Sequence, residues 1–107
     1  MPLKGNRLDL AVFWQAFLTA EGTPEALAFA FHYALAQGLA ELARNMAQQY
    51  QCERIVLSGG VCHNQLLRRL CKQALADFQV FSAHAYPMGD GGLSLGQAVI
   101  AAAKLQA

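Results

Sequence analysis

Apolar residues recur along this chain at helical spacing in several stretches and in two short continuous runs. From Asp9 to Ala20, Leu10, Phe13, Trp14, Phe17 and Leu18 fall at i, i+3, i+4, i+7 and i+8, a single apolar stripe. Asp9 is placed to cap that helix, Gly22 to end it, and Trp14 to pack within it. Thr23-Pro24-Glu25 then opens a second helix. Threonine caps, proline suits the first helical position, and glutamate suits the positive end of the dipole. No breaker follows until about Gln49, which predicts a helix roughly 39 Å long. Leu27, Phe31, Leu35, Leu42 and Met46 mark its expected core face. Gly38 and the many alanines leave room for another helix, and His32 falls one position off the stripe, as a half-exposed surface histidine.

The second half changes period. Arg54-Ile55-Val56-Leu57-Ser58 reads as a buried strand and Phe78-Gln79-Val80-Phe81-Ser82 as another. Between them, Asn64 to Ala76 is an amphipathic helix with Leu67, Leu70, Cys71, Ala74 and Leu75 inward. Gln65, Arg68, Arg69, Lys72 and Gln73 face out, a solvated basic face. A loop from Ala83 to Asp90 leads to an alanine-rich helix from about Gly91 to Leu105. A strand, a helix and a strand imply a right-handed parallel crossover. The fold class is therefore α/β, with long helices packed on a small parallel β-sheet. Residues 1–107 form one domain, with a helical part over 1–50 and a strand-and-turn part over 51–107. A pair of strands makes a poor sheet, so the sheet is expected to continue in a partner or in further sequence.

Composition sharpens this. The chain is 55% hydrophobic and 14% charged, against about a quarter charged in ordinary domains. So little charge predicts that much of the surface meets protein, either a further domain or a second copy. Eight basic and seven acidic residues, net +1, give no electrostatic footprint for nucleic acid. No apolar run is long enough for a membrane span and no secretory h-region opens the chain, so a cytoplasmic protein is expected. Cys52, Cys62 and Cys71 cannot all pair and lack C-x-x-C spacing; they read as reduced, partly buried small hydrophobes.

Two glycine-rich turns carry the candidate chemistry: Ser58-Gly59-Gly60-Val61 after the first strand, and Met88-Gly89-Asp90-Gly91-Gly92 before the last helix. Glycine lets backbone and ligand approach closely, and a helix start offers unpaired N–H groups to phosphate. Asn64 either hydrogen-bonds a nucleoside or simply caps its helix. Asp90 either caps or holds a cation beside phosphate oxygens. One carboxylate is not a metal site, and His63 and His84, ligands by type, have no histidine at i+4. Together the turns read as one wall of a nucleotide site, with the opposite wall missing.

In combination, Ile55-Val56-Leu57-Ser58-Gly59-Gly60-Val61-x-x-Asn64-x-Leu66-Leu67 and Pro87-x-x-Asp90-Gly91-Gly92-Leu93-Ser94-Leu95-Gly96-Gln97-Ala98 resemble the C-terminal end of HypF-type hydrogenase maturation carbamoyltransferases. The clear match runs from about Arg54 to Ala103. The resemblance implies a partial actin-like (ASKHA) nucleotide-binding module, shared with carbamoyl and threonylcarbamoyl transferases. It implies that Gly59, Gly60 and Asn64 contact ATP or carbamoyl-adenylate, that Gly91 and Gly92 lie at the phosphates, and that Asp90 is a ligand of a divalent metal (Mg, Zn or Fe). In that family carbamoyl phosphate is cleaved, carbamoyl-adenylate is formed, and the carbamoyl group passes to a cysteine of a HypE-type acceptor on its way to a hydrogenase cyanide ligand. The implied partners are therefore that acceptor and the family's N-terminal domains.

The departures from the pattern limit what the chain is expected to do. The family's H-x-x-x-H metal pair and its acylphosphatase-like, zinc-finger and adenylate-forming regions have no counterpart here. Cys62-His63 replaces the more usual Phe-Gln, and Gly89 stands where asparagine is commoner. The expectation is a fragment contributing half a nucleotide and metal site and inactive alone, with no catalytic residue identifiable. The alternative is a non-catalytic interaction or oligomerisation module whose glycine turns are structural.

Overall fold

The computed structural model describes residues 1–83 and 89–106. His84, Pro87 and Met88 of the expected loop lie outside the described residues. The chain opens with an antiparallel hairpin, β1 (Leu3–Lys4) and β2 (Arg7–Leu8), turning through Gly5 at φ 58°. The helix α1 (Leu10–Thr19) follows, capped as expected: the Asp9 side chain accepts from the Ala11 amide. It ends at Ala20, whose N–H returns to the Phe17 carbonyl, before Gly22 is reached. Its stripe is spent on aromatic packing. Phe13, Trp14 and Phe17 meet Phe31 of the next helix with ring centroids 5.6 to 5.9 Å apart, although Trp14 keeps 42% exposure.

The long helix α2 (Pro24–Tyr50) has its predicted start, with the Thr23 hydroxyl accepting from the Ala26 amide and Pro24 in the first turn. It stops at Gln51, which takes the left-handed conformation (φ 54°, ψ 46°) usually given to glycine. Its buried face differs from the expected one. Leu27, Phe31, Leu35, Leu42 and Met46 are half-buried, while Ala36, Gly38, Ala40 and Ala47 are fully buried. Close approach explains the difference, because small residues let α2 settle onto its neighbours. The neighbour at Gly38 is not a helix, however. A Cβ there would stand 3.0 Å from Leu8 Cδ2 and 3.2 Å from Met1 Cβ, so the glycine admits the N-terminal hairpin.

β3 (Arg54–Leu57) and β4 (Gln79–Ser82) pair in parallel, with Arg54 opposite Gln79 and Leu57 opposite Ser82. Between them α3 (Gln65–Ala74) carries Leu67, Leu70 and Cys71 into a core shared with Ala36, and Leu75 beyond its end is 2% exposed. Burying one such leucine contributes about 1.5–3 kcal/mol. The basic face of α3 is less solvated than expected. Half-buried Arg68 donates to the Cys62 carbonyl at 2.8 Å and Lys72 to the Ser82 hydroxyl at 2.9 Å, tying α3 to the chain before and after it. The last helix, α4 (Leu93–Gln106), has no buried residue. Leu93, Val99, Ile100 and Leu105 all stay exposed, as do Val56 and Phe81, register partners on one face of the parallel pair.

Candidate functional site

Both glycine turns fold into short 3₁₀ segments. After β3, the chain passes Ser58 and Gly59 and coils through Gly60–His63 before Asn64 caps α3. The Gly-Gly pair thus sits one turn ahead of the α3 N-terminus rather than at its mouth, because the Cys62 amide returns to the Gly59 carbonyl at 3.1 Å and the Asn64 amide to the Val61 carbonyl at 3.0 Å. Gly59 has φ 100°, a conformation that L side chains rarely adopt. Among the described residues, nothing lies within 4 Å of a Cβ built on Gly59 or Gly60, and both glycines are exposed. Those are the properties required of a surface that a ligand approaches.

The second turn runs through Gly89 into Asp90–Gly92 and directly into α4. Its closure is by backbone alone, from the Gly92 amide to the Gly89 carbonyl at 2.9 Å. Asp90 is exposed, and its carboxylate makes no capping bond to this turn and no hydrogen bond or salt bridge among the described residues.

The fold brings the two turns into contact. A Cβ on Gly89 would lie 3.2 Å from Gly60 Cα and 3.4 Å from His63 Nε2. Gly59, Gly60 and Gly89–Gly92 thus share one rim, and His63, from the residues before the Asn64 cap, reaches the second turn. Beside the first turn an apolar groove of about 460 Å³ runs between α2, β3 and α3, lined by Leu39, Met46, Val56, Val61 and Leu67. Asp90 offers one exposed carboxylate, and the described residues hold no group of three His, Cys, Asp or Glu side chains placed for an ion.

Asn64 is more constrained than its spacing indicated. Its Oδ1 accepts from the Leu67 amide at 3.0 Å, and its Nδ2 lies 2.8 Å from His32 Nε2 on α2. Sequence reasoning left His32 as a surface histidine, since no local pattern reveals a partner 32 positions away. The cysteines are free thiols as expected, but only Cys62 and Cys71 are half-buried or buried, whereas Cys52 is exposed. Burial, with Cys62 nearby, pushes the Cys71 thiol above its ordinary value.

Over residues 1–97 the chain matches the family described as Carbamoyltransferase, Kae1-like Domain, second subdomain. It is 39% identical over 106 residues to Carbamoyltransferase HypF of Rhodobacter capsulatus, covering 99% of this chain and 14% of that protein. It is 34% identical over 77 residues to a Probable carbamoyltransferase HypF of Methanocaldococcus jannaschii, covering 70% of this chain and 10% of that protein. The crystal structure of HypF from T. kodakarensis superposes with a TM-score of 0.86 at 28% identity, over 98% of this chain and 14% of that one. The chain therefore spans about one seventh of the length of the R. capsulatus and T. kodakarensis proteins. The glycine turns, the parallel strand pair and these likenesses lead to one assignment: this chain belongs to the HypF carbamoyltransferase family, in which it corresponds to the second subdomain of the Kae1-like domain.

Proposed function

We propose that this chain is one half of an actin-like (ASKHA) nucleotide module in a HypF-type carbamoyltransferase. The contact of Gly89 with Gly60 carries the reading, because two glycine turns that meet on one rim suit the phosphates and ribose of a single nucleotide. Gly59, Gly60 and Asn64 face the nucleoside side of ATP or carbamoyl-adenylate, and Gly91 and Gly92 the phosphates. Asp90 supplies one carboxylate to a divalent cation whose other ligands come from outside the chain. The work is carbamoyl transfer to a HypE-type acceptor in hydrogenase maturation, in the cytoplasm. Among the described residues no helix is long and apolar enough to cross a membrane.

The isolated chain is inactive in carbamoyl transfer, since it offers one rim of the cleft and an incomplete ion site. The apolar groove, the bare α4 and the exposed Val56–Phe81 face are where the remaining protein packs. ATP titrated into the chain with magnesium, followed by amide NMR, tests the reading. Millimolar binding at both turns, lost in Gly60→Val, is expected. Robust turnover of carbamoyl phosphate and ATP by the chain alone overturns the claim of inactivity. No binding, together with a stable dimer, favours the second reading, a self-associating interaction module, for which the same exposed apolar residues speak.

A further inference from the structure

One hydrogen bond joins the long helix to Asn64 beside the first glycine turn, and a further bond on each side anchors its partner to backbone. His32 Nδ1 lies 2.7 Å from the Ala28 carbonyl, His32 Nε2 lies 2.8 Å from Asn64 Nδ2, and Asn64 Oδ1 lies 3.0 Å from the Leu67 amide. The outer two bonds end on backbone, which fixes the direction of the relay. A carbonyl oxygen only accepts, so Nδ1 carries the proton and the neutral ring presents Nε2 as an acceptor. A backbone amide only donates, so the Leu67 N–H is received by Oδ1 and the Asn64 NH₂ points at His32. Both side chains are thereby held in a single tautomer and a single amide orientation.

We infer that His32 is a positioning residue for the nucleotide rim: from α2 it holds the Asn64 amide, and through Asn64 the 3₁₀ segment carrying Gly60. This rests on the nucleotide reading of that rim. Asn64 joins the 3₁₀ segment to α3, its own amide returning to Val61, so a rotation of its side chain is felt in the turn's backbone. His32 itself contacts no ligand.

The experiment compares the wild-type chain with His32→Leu and His32→Gln. Leucine removes the acceptor and keeps the helix; the Gln side-chain oxygen stands near the place of Nε2 and accepts in its stead. Nitrogen-15 NMR of the wild-type imidazole is expected to show Nδ1 protonated and Nε2 bare. His32→Leu is expected to weaken ADP binding about fivefold, the loss of one neutral hydrogen bond, and to shift the Gly60 and Val61 amide resonances while helix content is unchanged. His32→Gln is expected to restore both. An imidazole protonated at Nε2, or turn amides unmoved by His32→Leu, overturns the inference. ADP that fails to bind the wild-type chain defeats the nucleotide reading instead, and the tautomer and turn resonances then decide whether His32 holds Asn64.

Discussion

Gly89 and Gly60, glycines of the two turns that follow the parallel strands β4 and β3, stand so close that a methyl group on Gly89 would meet the Gly60 Cα at 3.2 Å. Backbone faces backbone here, so neither residue can yield as a flexible side chain would.

Gly89→Ala therefore separates the turns. The expected cost to their contact is about 1 kcal/mol, the scale of an overpacked site, with the resonances of Gly60, His63 and Asp90 shifting together. Global stability moves little, because Asp90 and the α4 helix bury no side chain. Unchanged Gly60 resonances would show that the turns do not touch.

Arg44 joins α2 to the segment after α3, donating to Asp77 Oδ1 at 2.9 Å and to the Ala74 carbonyl at 2.8 Å. The Arg44 hydrogen bond, then a backbone hydrogen bond within Asp77, hold that carboxyl below its ordinary 3.8. A lowered folded value favours the ionised form in the native state. The contribution is thus present above the unfolded value and lost as pH falls through the folded one. Asp77→Asn is expected to flatten the loss of stability on acidification, read as urea midpoints near neutral pH and near about pH 3. A loss on acidification as steep as in wild type would assign it to other carboxylates.

The three thiols should differ in reactivity. Iodoacetamide labels exposed Cys52 first and buried Cys71 last, since Cys71 is both shielded and held in its protonated form. Its raised value means that its contribution to stability is present below the unfolded thiol pKa and fades as pH rises through the folded one. In urea the rates converge. Equal rates for Cys52 and Cys71 in the folded chain would contradict the α2–α3 core.

Gln51 ends α2 in the left-handed region without being glycine. Gln51→Gly relieves that strain and is expected to stabilise the chain by about 1 kcal/mol in urea unfolding. A destabilising result would mean that the Gln51 side chain makes contacts that outweigh the strain.

The regular elements were legible from local signals. Caps at Asp9, Thr23 and Asn64 act where their types and positions indicated, and both strands end within a residue of their expected limits. The hairpin at Leu3–Leu8 was not legible, because two-residue strands have too few positions for alternation to register. Nor was the buried face of α2. Periodicity marks where large apolar residues recur, whereas burial followed the small residues at which neighbours come closest.

By itself the sequence determined the parts: helices and strands, their starts, and two glycine turns with one aspartate, all set by interactions within a few residues. Tertiary structure alone decided the assembly. It put Gly89 on Gly60, gave His32 to Asn64 and turned Gly38 toward a hairpin. Such contacts join residues about thirty positions apart, and no local pattern encodes them, because chain packing and not spacing brings those atoms within reach.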